Sequence, residues 1–263
     1  MNKYTDIVKK IHSSPYKITF VSSGGGTNAI SSLLEVPGAS DTILESYIPY
    51  SKESMDQFLN RKPDHYCSLD TCLNMAANAF KKSREIASKT KSKYLFGLAI
   101  TANLATTYEK KGDHKFFIVI QAHDYTKYLE CYLQKGKRTR NEEEDLITAC
   151  AISLLADSCS LNYAIPEIEE KISIEKVVAE KPWKKLFNNK VGFISNNKNN
   201  PELIFPGSFN PLHEGHIKMQ ELAERKTGMH TTFEICAKNA DKPPLTYVEI
   251  KRTIDQFQSG ESW

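Results

Sequence analysis

The chain has 263 residues, 40% hydrophobic and 25% charged, a globular composition with enough apolar residues for a sizeable core. Its formal charge of +3, with acids and bases mostly interleaved, argues against a nucleic-acid partner. No run approaches the roughly 18 apolar residues of a membrane span, and the N-terminus has no apolar signal core, so a soluble, intracellular, cytoplasmic protein with no membrane partner is expected.

In chain order, residues 6–12 read as a short helix and KITFV (17–21) as a buried strand. SSGGGTN follows, with Ser22, Ser23, Gly24, Gly25 and Gly26 ahead of a helix expected over 28–36. Consecutive glycines there leave backbone N–H groups to cradle an anion or lie against a flat ligand. A tight strand-to-helix turn accounts for the same residues, because the loop has neither a GxGxxG fingerprint nor the lysine of a P-loop. VPGAS (36–40) is a turn, and residues 43–50 read as a second strand running into PYSKESM.

A periodic helix is expected over 70–88, with Leu73, Ala76, Ala77, Phe80 and Ala87 on one face. YLFGLAI (94–100) reads as a strand covered on both faces, the mark of a parallel sheet between helices. KFFIVIQA (115–122) and YTKYLECYL (125–133) are separated by a short turn and should be antiparallel neighbours. Asn141 is expected to cap a helix opened by Glu142, Glu143, Glu144 and Asp145, the acids facing the positive end of its dipole. Leu146, Cys150 and Leu154 would supply its buried face. Residues 1–160 are thus expected to be one α/β domain. The six cysteines show no spacing suited to zinc, and no metal site is expected. Residues 161–201 read as a linker, charged at first and asparagine-rich later, with room for a short helix or strand.

The third region, 202–263, carries LIFPGSFNPLHEGHIKM (203–219). Leu203, Ile204 and Phe205 suit a buried strand, and Pro206, Gly207 and Pro211 then turn the chain. A helix should follow with Ile217, Met219, Leu222 and Ala223 as a partial apolar stripe, stopped near Gly228. His213 and His216 fall at i and i+3 where it begins, so both rings can point the same way. That end of a helix favours anions, and two imidazoles beside it can donate to phosphate oxygens during phosphoryl or nucleotidyl transfer. Gly215 between them lets a ligand approach the backbone.

The string GSFNPLHEGH resembles the first motif of the HxGH nucleotidyltransferase superfamily, with Gly207, Phe209, Asn210, Pro211, His213, Gly215 and His216 at the motif positions. The resemblance implies a Rossmann-like domain in which His213 and His216 stabilise the triphosphate of ATP or CTP. Gly207, Ser208, Phe209, Asn210 and Gly215 would line the nucleotide. A phosphorylated acceptor would attack the α-phosphorus in line, pyrophosphate would leave, and Mg2+ would screen it. The superfamily's second motif, similar to ISSTxxR, has no counterpart after Met219. Residues 220–263 leave room for one strand (231–237) and one helix (about 247–257), so this domain is expected to be incomplete, with a sheet edge that a second copy or a partner chain would cover.

Residues 17–158 resemble the C-terminal domain of the CinA, or competence-damage-inducible, family, through SSGGG, VPGAS, PYSKES, LAITANLATT and KFFIVIQA in the family's order. Active members are nicotinamide-mononucleotide deamidases. The resemblance implies Ser22 as nucleophile and Tyr50 beside it, in a pocket formed with Ser23, Gly24, Gly25 and Gly26. Met55 stands where the family's activating lysine belongs, and a thioether cannot take a proton from a hydroxyl. Lys52, in a segment read as extended, would face away from Met55. The family's TGxAGP loop is replaced by residues 101–106. The resemblance therefore implies a CinA-like fold that has lost deamidation. Together the two halves look like eukaryotic two-domain proteins joining a CinA-like domain to a cytidylyltransferase-like one. The leading expectation is a nucleotidyltransferase of nicotinamide or related nucleotide metabolism. The alternative is a non-catalytic nucleotide-binding or scaffolding protein, and a surviving deamidase using Ser22 is the third.

Overall fold

A computed structural model describes residues 2–108, 110–197, 201–238, 242–257 and 262–263. The chain opens with α1 (Thr5–His12), β1 (Lys17–Ser23), α2 (Thr27–Leu34), the single turn α3 (Ala39–Thr42) and β2 (Ile43–Tyr47). It continues through α4 (Lys52–Leu59), α5 (Leu69–Ile86), β3 (Leu95–Asn103), β4 (His114–Gln121), β5 (Tyr125–Leu133), α6 (Arg140–Ser158), β6 (Ile172–Val178) and α7 (Lys181–Phe187). The last elements are β7 (Leu203–Gly207), α8 (Glu214–Thr227), β8 (Thr231–Ile235) and α9 (Tyr247–Ile254). None of the described helices is long and apolar enough to cross a membrane.

Six strands form one mixed sheet in the order β2-β1-β3-β4-β5-β6, parallel across β2-β1-β3 and antiparallel from β3 onward. Alternation along the strands splits the core in two. Ile18, Phe20, Ile100, Ile118 and Ile120 face α1, α2 and α6, while Val21, Ala99, Phe117 and Val119 face α4 and α5. The fold is therefore α/β in three layers. The long helix α5 lies so close to the sheet that a Cβ on Gly97 would stand 2.2 Å from the Ala76 carbonyl oxygen.

Three local readings are corrected and a fourth is narrowed. PYSKESM is not extended: Ser51 caps α4 by accepting from the Ser54 amide at 3.1 Å. Thr139, not Asn141, caps α6, in a reciprocal capping box with Glu142. Of the short helix or strand for which residues 161–201 had room, residues 172–178 form a strand, β6, at the sheet edge, paired from Tyr125↔Val178 to Cys131↔Ile172, and the segment's end at 198–200 lies outside the described residues. The stripe expected on α8 is not buried: Met219 and Leu222 are 58% and 47% exposed, because a two-stranded sheet is too narrow to cover that helix.

β7 and β8 pair in parallel, Leu203↔Thr231 through Gly207↔Ile235, with α8 as the crossover. α9 closes this unit onto the larger sheet. Its Tyr247 amide donates to Thr126 Oγ1 at 3.0 Å and its Tyr247 hydroxyl to the His123 carbonyl at 2.7 Å. Val248 enters the core beside Val119 and Tyr128, and Asn74 donates to Glu249 at 3.2 Å. Of the six cysteines, all free, four are buried.

Candidate functional site

At the end of β7, a Cβ on Gly207 would lie 2.5 Å from the Phe209 ring, so glycine makes room for that ring to fold back. Phe209 is 1% exposed and stands edge-on to Phe205, Phe233 and Phe257 at 5.7, 5.1 and 5.9 Å. It is also edge-on to His216 at 5.2 Å. The structure thus places Phe209 in an aromatic core beneath the histidine, where it positions His216 and offers no face to a nucleotide. Ser208, Asn210 and His213 are exposed. Gln256 holds the turn from behind: it accepts from the Leu212 amide at 2.7 Å and donates to the Phe209 carbonyl at 3.0 Å.

The two histidines come together as the spacing predicts. Their rings stack at 3.7 Å with planes 22° apart, at the N-cap and third position of α8. The His213 amide donates to His216 Nδ1 at 3.2 Å, which leaves the proton of the neutral ring on Nε2, free to donate. Desolvation by burial, and then the neighbouring His213, hold the His216 pKa below the ordinary imidazole value. A Cβ on Gly215 would lie 3.1 Å from His213 Cε1 and Nδ1, so this glycine gives the His213 ring its place in the stack. The turn offers N–H donors at the positive end of a fourteen-residue helix, which is anion-binding chemistry. The carboxylate of Glu214 is paired with Lys218 at 2.7 Å, and no cluster of metal-ligating side chains occurs among the described residues. The described residues at this turn thus include no ligand set of their own for Mg2+.

The glycine-rich loop is built differently from its expected role. Gly24 has φ +78°, and a Cβ there would strike the Ala102 carbonyl oxygen at 2.0 Å. Its cradle of amides is already filled by a side chain of the protein. Glu144 accepts from the Gly26 amide at 2.8 Å, the Asn28 amide at 3.1 Å and the Thr27 hydroxyl at 3.2 Å. Arg140, one helical turn earlier, donates to the carbonyls of Gly24 and Ala105, each at 3.1 Å. Glu143, fully buried, accepts from the Ala105 amide at 2.7 Å and pairs with His114 at 2.8 Å. The first turn of α6 thus ties the glycine loop to residues 101–106.

Ser22 is 0% exposed, and its hydroxyl donates to the Gly25 carbonyl at 2.5 Å. Ser23 donates to the Pro49 carbonyl at 3.0 Å. Tyr50 is 66% exposed, and no hydrogen bond joins it to Ser22 among the described residues. Met55 is buried, and Lys52 lies on the same helix at i−3, its ammonium 5.7 Å from the Tyr66 ring, so the opposite-face reading of these two residues is corrected. Sequence reasoning missed Glu143 and Glu144 because it assigned all four acids to the dipole of their own helix. It missed Arg140 and Gln256 because each acts across a long sequence separation.

No family model matches the chain, and no curated protein matches it. Among solved structures it is similar to a competence/damage-inducible protein from Agrobacterium tumefaciens, at 16% identity and a TM-score of 0.48, over 59% of this chain and 94% of that one. It is similar to a competence or damage-inducible protein from Enterobacter asburiae at 16% identity and a TM-score of 0.48, over 60% and 99%. A competence-damaged (CinA) superfamily protein from Enterobacter cloacae is similar at 14% identity and a TM-score of 0.46, over 61% and 92%.

Proposed function

We propose that this protein takes ATP or CTP, with Mg2+, at the HEGH turn and transfers a nucleotidyl group to a phosphorylated small-molecule acceptor, in nicotinamide or related nucleotide metabolism. The observation that carries the reading is the stacked His213–His216 pair at the start of α8, at the carboxyl end of a parallel strand. An acceptor phosphate oxygen attacks the α-phosphorus, the bond to the bridging oxygen breaks, and pyrophosphate leaves with the metal. His216 Nε2–H donates to a phosphate oxygen whose charge rises in that step, and the helix start supports the same charge. The first sheet is the CinA-like half, and it serves as a scaffold onto which α9 fastens the Rossmann-like βαβ unit. A second copy, or a partner chain, pairing along the two-stranded sheet would complete that unit.

The test is pyrophosphate release by the purified chain with Mg2+, ATP or CTP, and a panel of phosphorylated acceptors including nicotinamide mononucleotide. The reading expects turnover that falls a hundredfold or more in His216→Ala, about the scale of losing one preorganised donor. Turnover unchanged in that variant would remove the histidine from the mechanism. A second reading, nucleotide binding without transfer, is favoured by the exposure of Ser208, Asn210 and His213, and it predicts saturable nucleotide binding with no pyrophosphate. Deamidation through Ser22 is disfavoured by that residue's burial and by Met55, and ammonia release from nicotinamide mononucleotide would restore it.

A further inference from the structure

A cavity of about 430 Å³ lies where the βαβ unit meets the first sheet, at the opposite end of α9 from the Gln256 clamp. Its floor and walls are apolar: Ala77 and Phe80 from α5, Phe187 from the end of α7, and Pro244, Leu245 and Tyr247 from the approach to α9. Three cations line it, Lys81, Arg84 and Lys238, together with His123 from the β4–β5 turn and a single acid, Glu85. None of the three cations is in an ion pair with a described residue. Among the described residues, Lys238 donates to Asn189 Oδ1 and lies 5.8 Å from the Phe187 ring. Glu85 acts on Lys82, on the side of α5 that also holds Tyr47.

The charge of Arg84 acts on two of its neighbours in the cavity, Lys238 and His123. Burial first, and then the charge of Arg84, lower the pKa of Lys238. Burial also lowers that of His123, opposed by Asp124 and reinforced by Arg84 and Lys184. Two cations from α5 and one from the segment after β8, none in an ion pair with a described residue, stand at the edge of apolar walls, where their mutual repulsion favours the entry of an anion. The cavity's size is that of a small-molecule site, with aromatic and aliphatic walls and a few convergent polar groups.

We propose that this seam cavity binds a phosphorylated small molecule with a planar body, of the nucleoside monophosphate class, its phosphate between Arg84 and Lys238 and its ring against Phe80, Phe187 and Leu245. The site is separate from the HEGH turn and stands whether or not that turn transfers nucleotides. Because its walls come from both the first sheet and the βαβ unit, an occupant would fasten the two together.

The test is isothermal titration of the whole chain with AMP and with CMP, beside adenosine and inorganic phosphate as the two halves of the ligand. Saturable binding of a monophosphate is expected. Arg84→Gln and Lys238→Gln should each weaken it by about tenfold or more, the scale of one charge-assisted hydrogen bond. His216→Ala should leave it unchanged. Unfolding profiles of the two charge variants, matching the wild type, would show that the fold is intact. Failure of both monophosphates to bind would overturn the proposal. So would monophosphate binding that survives in both charge variants, or that His216→Ala abolishes, since the ligand would then sit at the HEGH turn.

Discussion

Replacing Glu144 by alanine tests whether the glycine loop is a filled anion cradle. The carboxylate accepts from the Gly26 and Asn28 amides and the Thr27 hydroxyl, at 2.8 to 3.2 Å, at the N-terminus of α2. Loss of a capping oxygen costs about 0.5–2 kcal/mol, and loss of a negative charge at a helix start about 0.3–1 kcal/mol. Glu144 is half-buried and its three bonds share one carboxylate, so the variant should lose about 2–3 kcal/mol in urea unfolding. Emptying the cradle also exposes donors to solutes. Phosphate at about ten times its dissociation constant should return roughly 1.4 kcal/mol to the variant and nothing comparable to the wild type, with sodium chloride as the ionic-strength control. A loss under about 0.5 kcal/mol would refute this reasoning, as would an equal phosphate effect on both proteins.

Three more outcomes are expected. Arg138 donates to Glu170 and holds its carboxyl at about 2, below the usual 4.5, in a pair whose side chains are 16% and 8% exposed. A depressed carboxylate pKa stabilises fully above the unfolded value, and its effect is lost as pH falls through the folded value near 2, so Glu170→Gln should cost about 2–3 kcal/mol at pH 7, about 1 kcal/mol at pH 3 and little below pH 2 in urea melts. Gly215→Ala should change stability by less than about 1 kcal/mol, since the helix propensity gained offsets the 3.1 Å contact with the exposed His213 ring. Its nucleotide affinity, measured by titration, should fall because that ring leaves the stack. Gln256→Ala removes two hydrogen bonds to the 209–212 turn, and should raise KM for nucleotide while lowering stability by about 1–3 kcal/mol.

Much of the fold was legible because the core strands carry strong local signals. KITFV, YLFGLAI, KFFIVIQA and YTKYLECYL all form strands, and the paired direction of the last two followed from their short turn. β6 was legible only as room for a short helix or strand, since an edge strand covered on one side reads as ISIEKVV, a charged segment like an exposed connection. PYSKESM was missed because one serine cap decides its helix. At the candidate site, the i, i+3 spacing of the histidines carried over directly into a ring stack. Phe209 did not, because whether an aromatic in a motif faces ligand or core depends on Phe205, Phe233 and Phe257 arriving from other elements. Long-range partners such as Glu144 and Gln256 leave no local pattern at all.

The central claim is that the HEGH turn receives a nucleotide phosphate, and long-range 1H–15N NMR of the imidazoles tests it most directly. In the free protein His216 should be the Nε2–H tautomer, titrating below the ordinary imidazole range. Adding MgATP or MgCTP should shift the His213 and His216 signals saturably and raise the His216 pKa, because a phosphate anion favours the protonated ring. Signals and titration unmoved by either nucleotide would contradict the account.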